Sequence, residues 1–253
     1  MDLVRVSAVS YLNTLPFQYG FVHGPKIAMD LSLDIPSECA QKLIDGQAEV
    51  GLIPVATLPE LPEFSIITDY CIAADGPVRT VLLYSDVPIH QVETIWLDYQ
   101  SRTSVNLCRI LCAEFWKVNP EFKATTPGFE QGFGDREAAV VIGDRTFRME
   151  KEYAYTYDLS EVWKNMTGLP FVFAAWVAHA VVTPEFTRAF NDLLRFGMEH
   201  RQEAIDQYLR ENDDPGDLRG YLTDSIKYEW GTKEAQALQL FLTKLDGLPP
   251  LPK

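Results

Sequence analysis

The chain lacks the features that would assign it to a membrane or to a nucleic acid. No run of ~18 or more apolar residues occurs, so a membrane span is not expected. No basic run occurs either, and 22 basic against 36 acidic residues give a formal net charge of -14. A phosphate backbone demands clustered Lys and Arg. We therefore expect neither a nucleic acid nor a membrane as a partner.

Residues that hold metals and cofactors are few and scattered. The four cysteines form no CxxC pair, and no histidine stands at zinc-finger spacing from them. Cys108 and Cys112 lie one helical turn apart among apolar residues, which favours buried free thiols over a metal site. The patterns GxxxxGK[ST], GxSxG and HExxH are absent, and Gly128, Gly132 and Gly134 do not follow a strand in GxGxxG spacing. We predict no metal and no cofactor.

The N-terminus shows no export signal. Met1 to Arg5 has no basic region, no long apolar stretch follows, and no small-residue cleavage site is present. These features predict a cytoplasmic protein.

The chain of 253 residues is 47% hydrophobic, enough to bury a large core. Strand and helix patterns alternate at short spacing, which predicts βαβ units, a largely parallel sheet and an α/β fold. The predicted strands are 4–9, 28–33, 49–53, 64–73, 78–84, 94–97, 138–142, 153–157 and 171–177. The chain after Thr183 is predicted to be helical, with helices from Thr183, over 218–230 and over 233–245.

Two strand–helix series followed by terminal helices predict two α/β lobes. The strands 78–84 and 171–177 are placed to carry the chain out to the second lobe and back. We predict one lobe from residues 1–83 and 175–253, including the C-terminal helices, and a second from 84–174. A ligand cleft between the lobes is expected, because double-crossover proteins bind their ligands there.

The first strand, turn and helix start supply one candidate site. The apolar run ends in Ser10, Tyr11, Asn13 and Thr14, and Pro16 follows. In open α/β sheets, ligands lie beyond the carboxyl ends of strands, where helix N-termini offer unpaired N–H groups. This pattern predicts part of a small-molecule site. The alternative is that Asn13 and Thr14 only cap the helix.

Three further turns are rich in hydrogen-bond donors, and together they suit an anion with more than one carboxylate. The turns are Ser101-Arg102-Thr103-Ser104, Arg79-Thr80 and Gly143-Asp144-Arg145. Each also has a purely structural alternative. The first would be an N-cap with Arg102 in solvent, the second an edge-strand charge at Arg79, and the third a capped helix start at Gly143.

Five segments in this order resemble the chorismate dehydratases of the futalosine route to menaquinone. They are SYLNTLPF at 10–17, DGPVRTVLLYS at 75–85, SRTS at 101–104, VIGDR at 141–145 and DLSEVWKNMTGLPFVFAAW at 158–176. The resemblance runs from about Val4 to Trp176. It implies the type II periplasmic-binding-protein fold with two lobes and a double crossover.

The resemblance also implies a carbon–oxygen lyase, a hydro-lyase that converts chorismate to 3-[(1-carboxyvinyl)oxy]benzoate and water. Such an enzyme binds a dicarboxylate, removes a ring proton beside the enol ether and releases the neighbouring hydroxyl. The residues implied are Asn13 at the reacting hydroxyl or ether oxygen, Ser10 and Tyr11 shaping the pocket, Thr103 and Ser104 on one carboxylate, and Thr80 with Arg79 on the other.

The sequence departs from the family pattern at two places. Thr80 stands where a serine is common, and Tyr99-Gln100 replaces smaller residues before SRTS. The matched motifs supply no His or Glu base, so we expect a carboxylate of the substrate to take the proton. The alternatives are a non-enzymatic solute-binding protein for a small carboxylate, and the sister 1,4-dihydroxy-6-naphthoate synthase of the same pathway.

Overall fold

The apolar runs of the sequence become the strands of two mixed sheets. The computed structural model describes residues 3–149, 151–179 and 182–251. The strands in these residues are β1 (Val4–Val9), β2 (Met29–Asp34), β3 (Val50–Pro54), β4 (Ser65–Ala74), β5 (Val81–Ser85), β6 (Thr94–Leu97), β7 (Glu121–Ala124), β8 (Glu137–Ile142), β9 (Tyr155–Asp158), β10 (Phe171–Ala178) and β11 (Lys227–Glu229). The helices there are α1 (Leu15–His23), α2 (Pro36–Ile44), α3 (Thr103–Leu111), α4 (Leu159–Thr167), α5 (Pro184–Glu199), α6 (Arg201–Glu211), α7 (Leu218–Gly220) and α8 (Thr232–Asp246).

The chain divides into two compact units. Unit 1 contains Met1–Ala73 and Val172–Gly231, and unit 2 contains Ala74–Phe171 and Thr232–Lys253. The chain therefore changes unit three times, whereas the sequence predicted two crossings.

The predicted lobe boundaries differ from these units at three places, of which the return to unit 1 is the smallest, at Val172 instead of residue 175. β5 pairs with β8 and β9, so the chain enters unit 2 before the predicted residue 84. The helix α8, predicted to lie in the first lobe, belongs to unit 2. There Phe241 of α8 meets Trp163 and Phe171 edge to face at 6.3 and 5.2 Å between ring centroids. Burial of these aromatic rings fixes α8 in this unit.

The sheet of unit 1 has the strand order β11-β4-β10-β3-β1-β2. β1 runs parallel to both β2 and β3, while β10 is antiparallel to β3 and β11 is antiparallel to β4. The prediction of a largely parallel sheet was therefore wrong. A strand that returns from the other unit, such as β10, enters the sheet in the opposite direction.

The sheet of unit 2 has the order β7-β6-β8-β5-β9. β6 is parallel to β7 and β8, and β5 is antiparallel to β8 and β9. Because Val81 pairs with Ile142, β5 begins at the edge where β8 ends. The start of β5 and the carboxyl ends of β6 and β8 therefore share one edge of this sheet.

Local sequence signals fix most helix starts. Pro36 and Pro184 occupy the first turns of α2 and α5, where the missing N–H costs nothing. Thr183 Oγ1 caps α5 by accepting from Phe186 N at 3.2 Å. Gly168, at φ 73°, ends α4 in the left-handed conformation that glycine adopts at helix ends.

The helix predicted over 218–230 is not observed. Only Leu218–Gly220 is α-helical, a π-helical turn covers Tyr221–Ser225, and Lys227–Glu229 forms β11. Pairing of β11 with the edge of β4 satisfies its backbone groups in place of a helix.

None of the helices in the described part of the chain is long and apolar enough to cross a membrane. Within the same residues, no group of three or more His, Cys, Asp or Glu side chains is arranged to hold a metal ion.

Candidate active site

The turn between β1 and α1 carries the candidate residues of unit 1. Exposed Ser10 lies against β2, since its N–H donates to Asp34 O at 3.0 Å and its Oγ lies 3.3 Å from the same oxygen. Tyr11 and Asn13 are half-buried, and Leu12–Thr14 forms a short 3-10 turn. The turn thus follows the carboxyl end of β1, as the sequence predicted.

Thr14 precedes α1 but does not cap it through its side chain. Its hydroxyl lies 2.7 Å from both Val9 O and Tyr11 O, and it accepts from Gln18 Nε2 at 2.8 Å. Thr14 stands at the N-cap position but its hydroxyl makes no cap bond, so this hydroxyl does not support the alternative in which Asn13 and Thr14 only cap the helix. The hydroxyl instead fastens the turn to the end of β1 and to the helix.

Asn13 holds its two oxygens in different environments. Its main-chain carbonyl accepts a hydrogen bond of 3.0 Å from the hydroxyl of Tyr228. Its side-chain Oδ1 is buried, and no residue of the described chain donates a hydrogen bond to it. A buried acceptor without a donor costs about 1–3 kcal/mol, so its presence calls for an explanation. A donor on a bound ligand, such as a hydroxyl group, would satisfy it.

Three polar segments meet at one edge of the unit 2 sheet. They are the start of β5, the turn after β6 and the turn after β8. Gly143 N donates to Thr80 O at 2.8 Å, and Asp98, the residue after β6, accepts from Ile142 N at 3.0 Å. These bonds join the segments directly. The three donor-rich turns that the sequence singled out are therefore neighbours within this unit.

Asp98 organises this edge. Its carboxylate is fully buried and forms an ion pair with the guanidinium of Arg145. The second carboxylate oxygen accepts from Gln100 N at 3.0 Å. A buried carboxylate with these partners fixes the turn after β6 to the turn after β8. Sequence reasoning did not select Asp98. Its position directly after the predicted strand TIWL is the signal that could have identified it as a site residue.

Arg145 is enclosed by aromatic rings and acidic groups. Its guanidinium lies 5.5 Å from the ring centroid of Tyr99 and 5.8 Å from that of Phe129. Nη1 is 3.7 Å from Glu130 Oε2. Burial is the largest single influence on Arg145 and lowers its pKa, but the hydrogen bond to Asp98 and the nearby charges of Asp98 and Glu130 together outweigh burial and raise the pKa. Two carboxylates offset this one cation, so the immediate surroundings of Arg145 carry no excess of positive charge.

The first turn of α3 is buried and polar. Thr103 and Ser104 are 2% and 3% exposed. Ser101 Oγ accepts from Ser104 N at 2.9 Å, which is the geometry of an N-cap. The capping alternative therefore holds for Ser101, and Arg102 is exposed. The Thr103 and Ser104 hydroxyls remain as the candidate donors of this turn.

Arg79 and Thr80 precede β5. Arg79 has a φ of 69°, a left-handed conformation that is costly for a residue with a side chain. Its N–H donates to Asp158 Oδ2 at 2.7 Å, and this bond holds the strained residue. Thr80 is 3% exposed and joins Gly143 through its carbonyl. Gly143, at φ 70°, takes the conformation for which glycine is suited, and Asp144 beside it is half-buried.

Each unit thus offers a distinct set of groups. Unit 1 provides the Asn13 carboxamide, and unit 2 provides hydroxyls at Thr103 and Ser104 with an ion-paired Arg145 beside them. Such groups bind an oxyanion and recognise a hydroxyl through neutral donors and acceptors. That the two sets act on one ligand stays a prediction. Asp98 and Glu130 are the residues here that sequence reasoning did not select, and Arg145 stood in a donor-rich turn without an assigned role.

Two curated relatives align with nearly the whole chain. The chorismate dehydratase of Thermus thermophilus is 26% identical over 241 residues, which cover 86% of this chain and 87% of the relative. The chorismate dehydratase of Campylobacter jejuni is 23% identical over 249 residues, covering 95% and 96% of the two chains.

Solved structures share the fold at low identity. A protein of Archaeoglobus fulgidus has a TM-score of 0.75 at 14% identity, covering 97% of each chain. The periplasmic aliphatic sulphonate binding protein of Escherichia coli has a TM-score of 0.60 at 12% identity, covering 97% of this chain and 86% of that one. The fold is that of the periplasmic binding proteins, as the sequence resemblance implied. A family model described as menaquinone biosynthesis matches residues 4–246, and the chain belongs to that family.

Proposed function

We propose that this protein is a chorismate dehydratase, a hydro-lyase that converts chorismate to 3-[(1-carboxyvinyl)oxy]benzoate and water. The observation that carries the proposal is the alignment of 86% and 95% of the chain with two relatives that bear this name. Membership of the menaquinone biosynthesis family supports the same activity. The periplasmic-binding-protein fold alone does not select it, because one fold hosts many functions.

In this proposal, Asn13 contacts the ring hydroxyl that leaves. The buried and unpartnered Oδ1 is an acceptor to which the substrate hydroxyl can donate. The 3-10 turn and the hydroxyl of Thr14 hold the backbone at this position. Ser10 and Tyr11 border the same turn and shape the substrate pocket in this assignment. Accepting from the hydroxyl orients the leaving group. The negative charge that builds on its oxygen as the carbon–oxygen bond breaks needs a donor, and the carboxamide of Asn13 also carries one in its Nδ2 amide.

The donors of unit 2 bind the substrate carboxylates in this proposal. Thr103 and Ser104, at the N-terminus of α3, contact one carboxylate, since the helix dipole and hydroxyls there favour an anion. Thr80 and Arg79 contact the other. Arg145 is already paired with Asp98, so its positive charge is compensated before the substrate binds. It can offer the substrate N–H groups but no net charge.

The reaction needs a proton acceptor as well as a contact to the leaving group. One proton leaves the ring carbon that carries the ether, and the neighbouring carbon releases hydroxide; together they make water. The electron pair of the broken carbon–hydrogen bond completes the aromatic ring. We assign the proton to a carboxylate of the substrate, and the protein fixes its geometry.

The direct test is incubation of the purified protein with chorismate. We expect chorismate to disappear and an aromatic product, lighter by one water, to accumulate, as followed by ultraviolet absorbance and mass spectrometry. Binding without turnover would instead identify a solute-binding protein. Turnover of cyclic futalosine in a parallel assay would identify the sister synthase.

Asn13→Ala tests the assigned role. The change removes the carboxamide, so we expect turnover to fall by at least about a hundredfold, as for loss of a transition-state contact. Asn119→Ala is the matched control, because Asn119 is exposed in unit 2 and should leave the rate unchanged. Circular dichroism of both variants checks the fold. Near-normal turnover by Asn13→Ala would exclude the assignment.

A further inference from the structure

We propose that Tyr228 is a positioning residue that orients Asn13 for the reaction. Its hydroxyl reaches the Asn13 main-chain carbonyl from a strand 215 positions later in the chain. The inference rests on the proposed function, in which Asn13 contacts the substrate. Tyr228 itself is 1% exposed and acts through the backbone.

The strand that carries Tyr228 is fixed on both sides of it. Lys227 pairs with Ala73 and Glu229 with Tyr70, so β11 is registered against β4. Trp230 N donates to Asp69 O at 2.9 Å just after the strand. The register shifts between Lys227 and Glu229, so an irregularity of the strand lies at Tyr228, and its side chain reaches the turn before α1.

The ring of Tyr228 is locked by its neighbours. Phe17, fully buried in the first turns of α1, meets it edge to face at 5.4 Å between centroids. The guanidinium of Arg201 lies 6.0 Å from the ring centroid. Because the ring cannot swing away, the direction of its hydroxyl is set by packing. Burial raises the pKa of Tyr228 well above its ordinary value, so the hydroxyl stays protonated as a donor.

The acceptor of this hydrogen bond is the carbonyl of the peptide that joins Asn13 to Thr14. Its orientation matters because Asn13 carries the proposed substrate contact. Thr14 and Gln18 fasten the neighbouring residues through Val9 O and Tyr11 O. Those contacts do not include the Asn13 carbonyl, which Tyr228 holds. A rotation about the Cα–C bond of Asn13 that the φ angle of Thr14 does not offset would move the Asn13 side chain relative to α1. The Tyr228 hydroxyl therefore opposes a rotation that would displace Oδ1.

Tyr228→Phe tests the inference with one atom removed. The ring and its packing on Phe17 remain, so the fold should persist and substrate binding should change little. We expect kcat to fall about tenfold with KM within about twofold of the parent, because misorientation of one group lowers the rate of a bound substrate. The matched control is Tyr221→Phe, since Tyr221 is also 1% exposed and lies in the same C-terminal part of unit 1.

Two outcomes would overturn the inference. An unchanged kcat for Tyr228→Phe would do so, and so would equal losses of kcat and of thermal stability in the Tyr221 and Tyr228 variants.

A spectroscopic measurement separates this inference from the proposed function. In isotope-labelled protein, Tyr228→Phe should shift the carbonyl carbon of Asn13 and the amide nitrogen of Thr14, whereas Tyr221→Phe should not. These shifts report the hydrogen bond whether or not chorismate is the substrate. If the parent protein fails to convert chorismate but the shifts appear, the proposed function is wrong and the positioning stands. If the shifts are absent, the positioning is wrong.

Discussion

Single residues decide the geometry of the unit 2 edge, and Asp158 is the clearest case. Its Oδ1 caps α4 by accepting from Ser160 N at 3.0 Å and Glu161 N at 3.2 Å. Its Oδ2 holds the N–H of Arg79 at 2.7 Å. Burial raises the pKa of this carboxyl, while the backbone N–H groups act in the opposite direction. One side chain thus links a helix start to a strained turn.

Asp158→Asn should destabilise the protein although it removes a buried charge. The amide nitrogen would face main-chain N–H groups and leave at least one of them without an acceptor. We expect a loss of about 1–3 kcal/mol in the free energy of unfolding, measured by urea denaturation at pH 7. Asp213→Asn, at an exposed position, is the control and should be neutral. A more stable Asp158→Asn would show that desolvation of the charge dominates over its hydrogen bonds.

At the scale of elements, the sequence predicted strands and helix starts that a local residue pattern encodes, but not those that depend on pairing with distant residues. Apolar runs marked β3, β6 and β8, and Thr183 followed by a proline marked the start of α5. β7 was missed because EFKA has no apolar run. β11 was predicted as helix, since only its pairing with β4 reveals the strand. Strand direction depends on where the chain returns, and no local pattern records that.

For the candidate site, too, local patterns could be predicted from the sequence and contacts between distant residues could not. Ser10, Asn13 and the turns at 101–104 and 143–145 follow predicted strands, so their place at strand ends could be anticipated. Arg79 and Thr80 were predicted inside the strand 78–84, whereas β5 begins only at Val81. The bonds from Arg145 to Asp98 and from Tyr228 to Asn13 join residues 47 and 215 positions apart. Only the tertiary fold brings such pairs together.

The C-terminal segment is held to α3 by a buried arginine. Arg109, 5% exposed, donates to Asn106 Oδ1 at 2.8 Å and to Pro249 O at 2.5 Å, with Pro250 O at 3.4 Å. Burial lowers the pKa of this guanidinium. The carbonyls of the segment therefore compensate a cation that would otherwise be poorly solvated.

Deletion of residues 249–253 should destabilise the protein, because buried Arg109 depends on the carbonyls of this segment. We expect a loss of about 1–3 kcal/mol in the free energy of unfolding, because buried Arg109 donors lose their acceptors. In an Arg109→Met background, the same deletion should cost measurably less, since methionine has no donor to leave unsatisfied. Urea denaturation of the four proteins gives the coupling. Equal costs in both backgrounds would contradict the role assigned to Arg109.

The whole molecule carries a charge that opposes its proposed substrate. A formal net charge of -14 creates a negative field around the chain, and a dicarboxylate approaches against it. The Arg145 guanidinium does not reverse this field locally, because Asp98 and Glu130 lie beside it. In the proposal, binding therefore depends on short-range contacts from hydroxyls, helix amides and the Arg79 side chain, which act only after the substrate has arrived.

The salt dependence of catalysis follows from this charge. Added salt shortens the range of the repulsion, so kcat/KM for chorismate should rise by roughly two- to threefold as monovalent salt increases from about 0.01 to 0.15 M. The value of kcat should stay constant, because the repulsion affects the approach of the substrate and not the reaction of substrate that is already bound. Steady-state assays in NaCl and in KCl separate ionic strength from ion-specific effects. A fall in kcat/KM over this range would show that a local positive field steers the substrate, contrary to the balance of charges around Arg145.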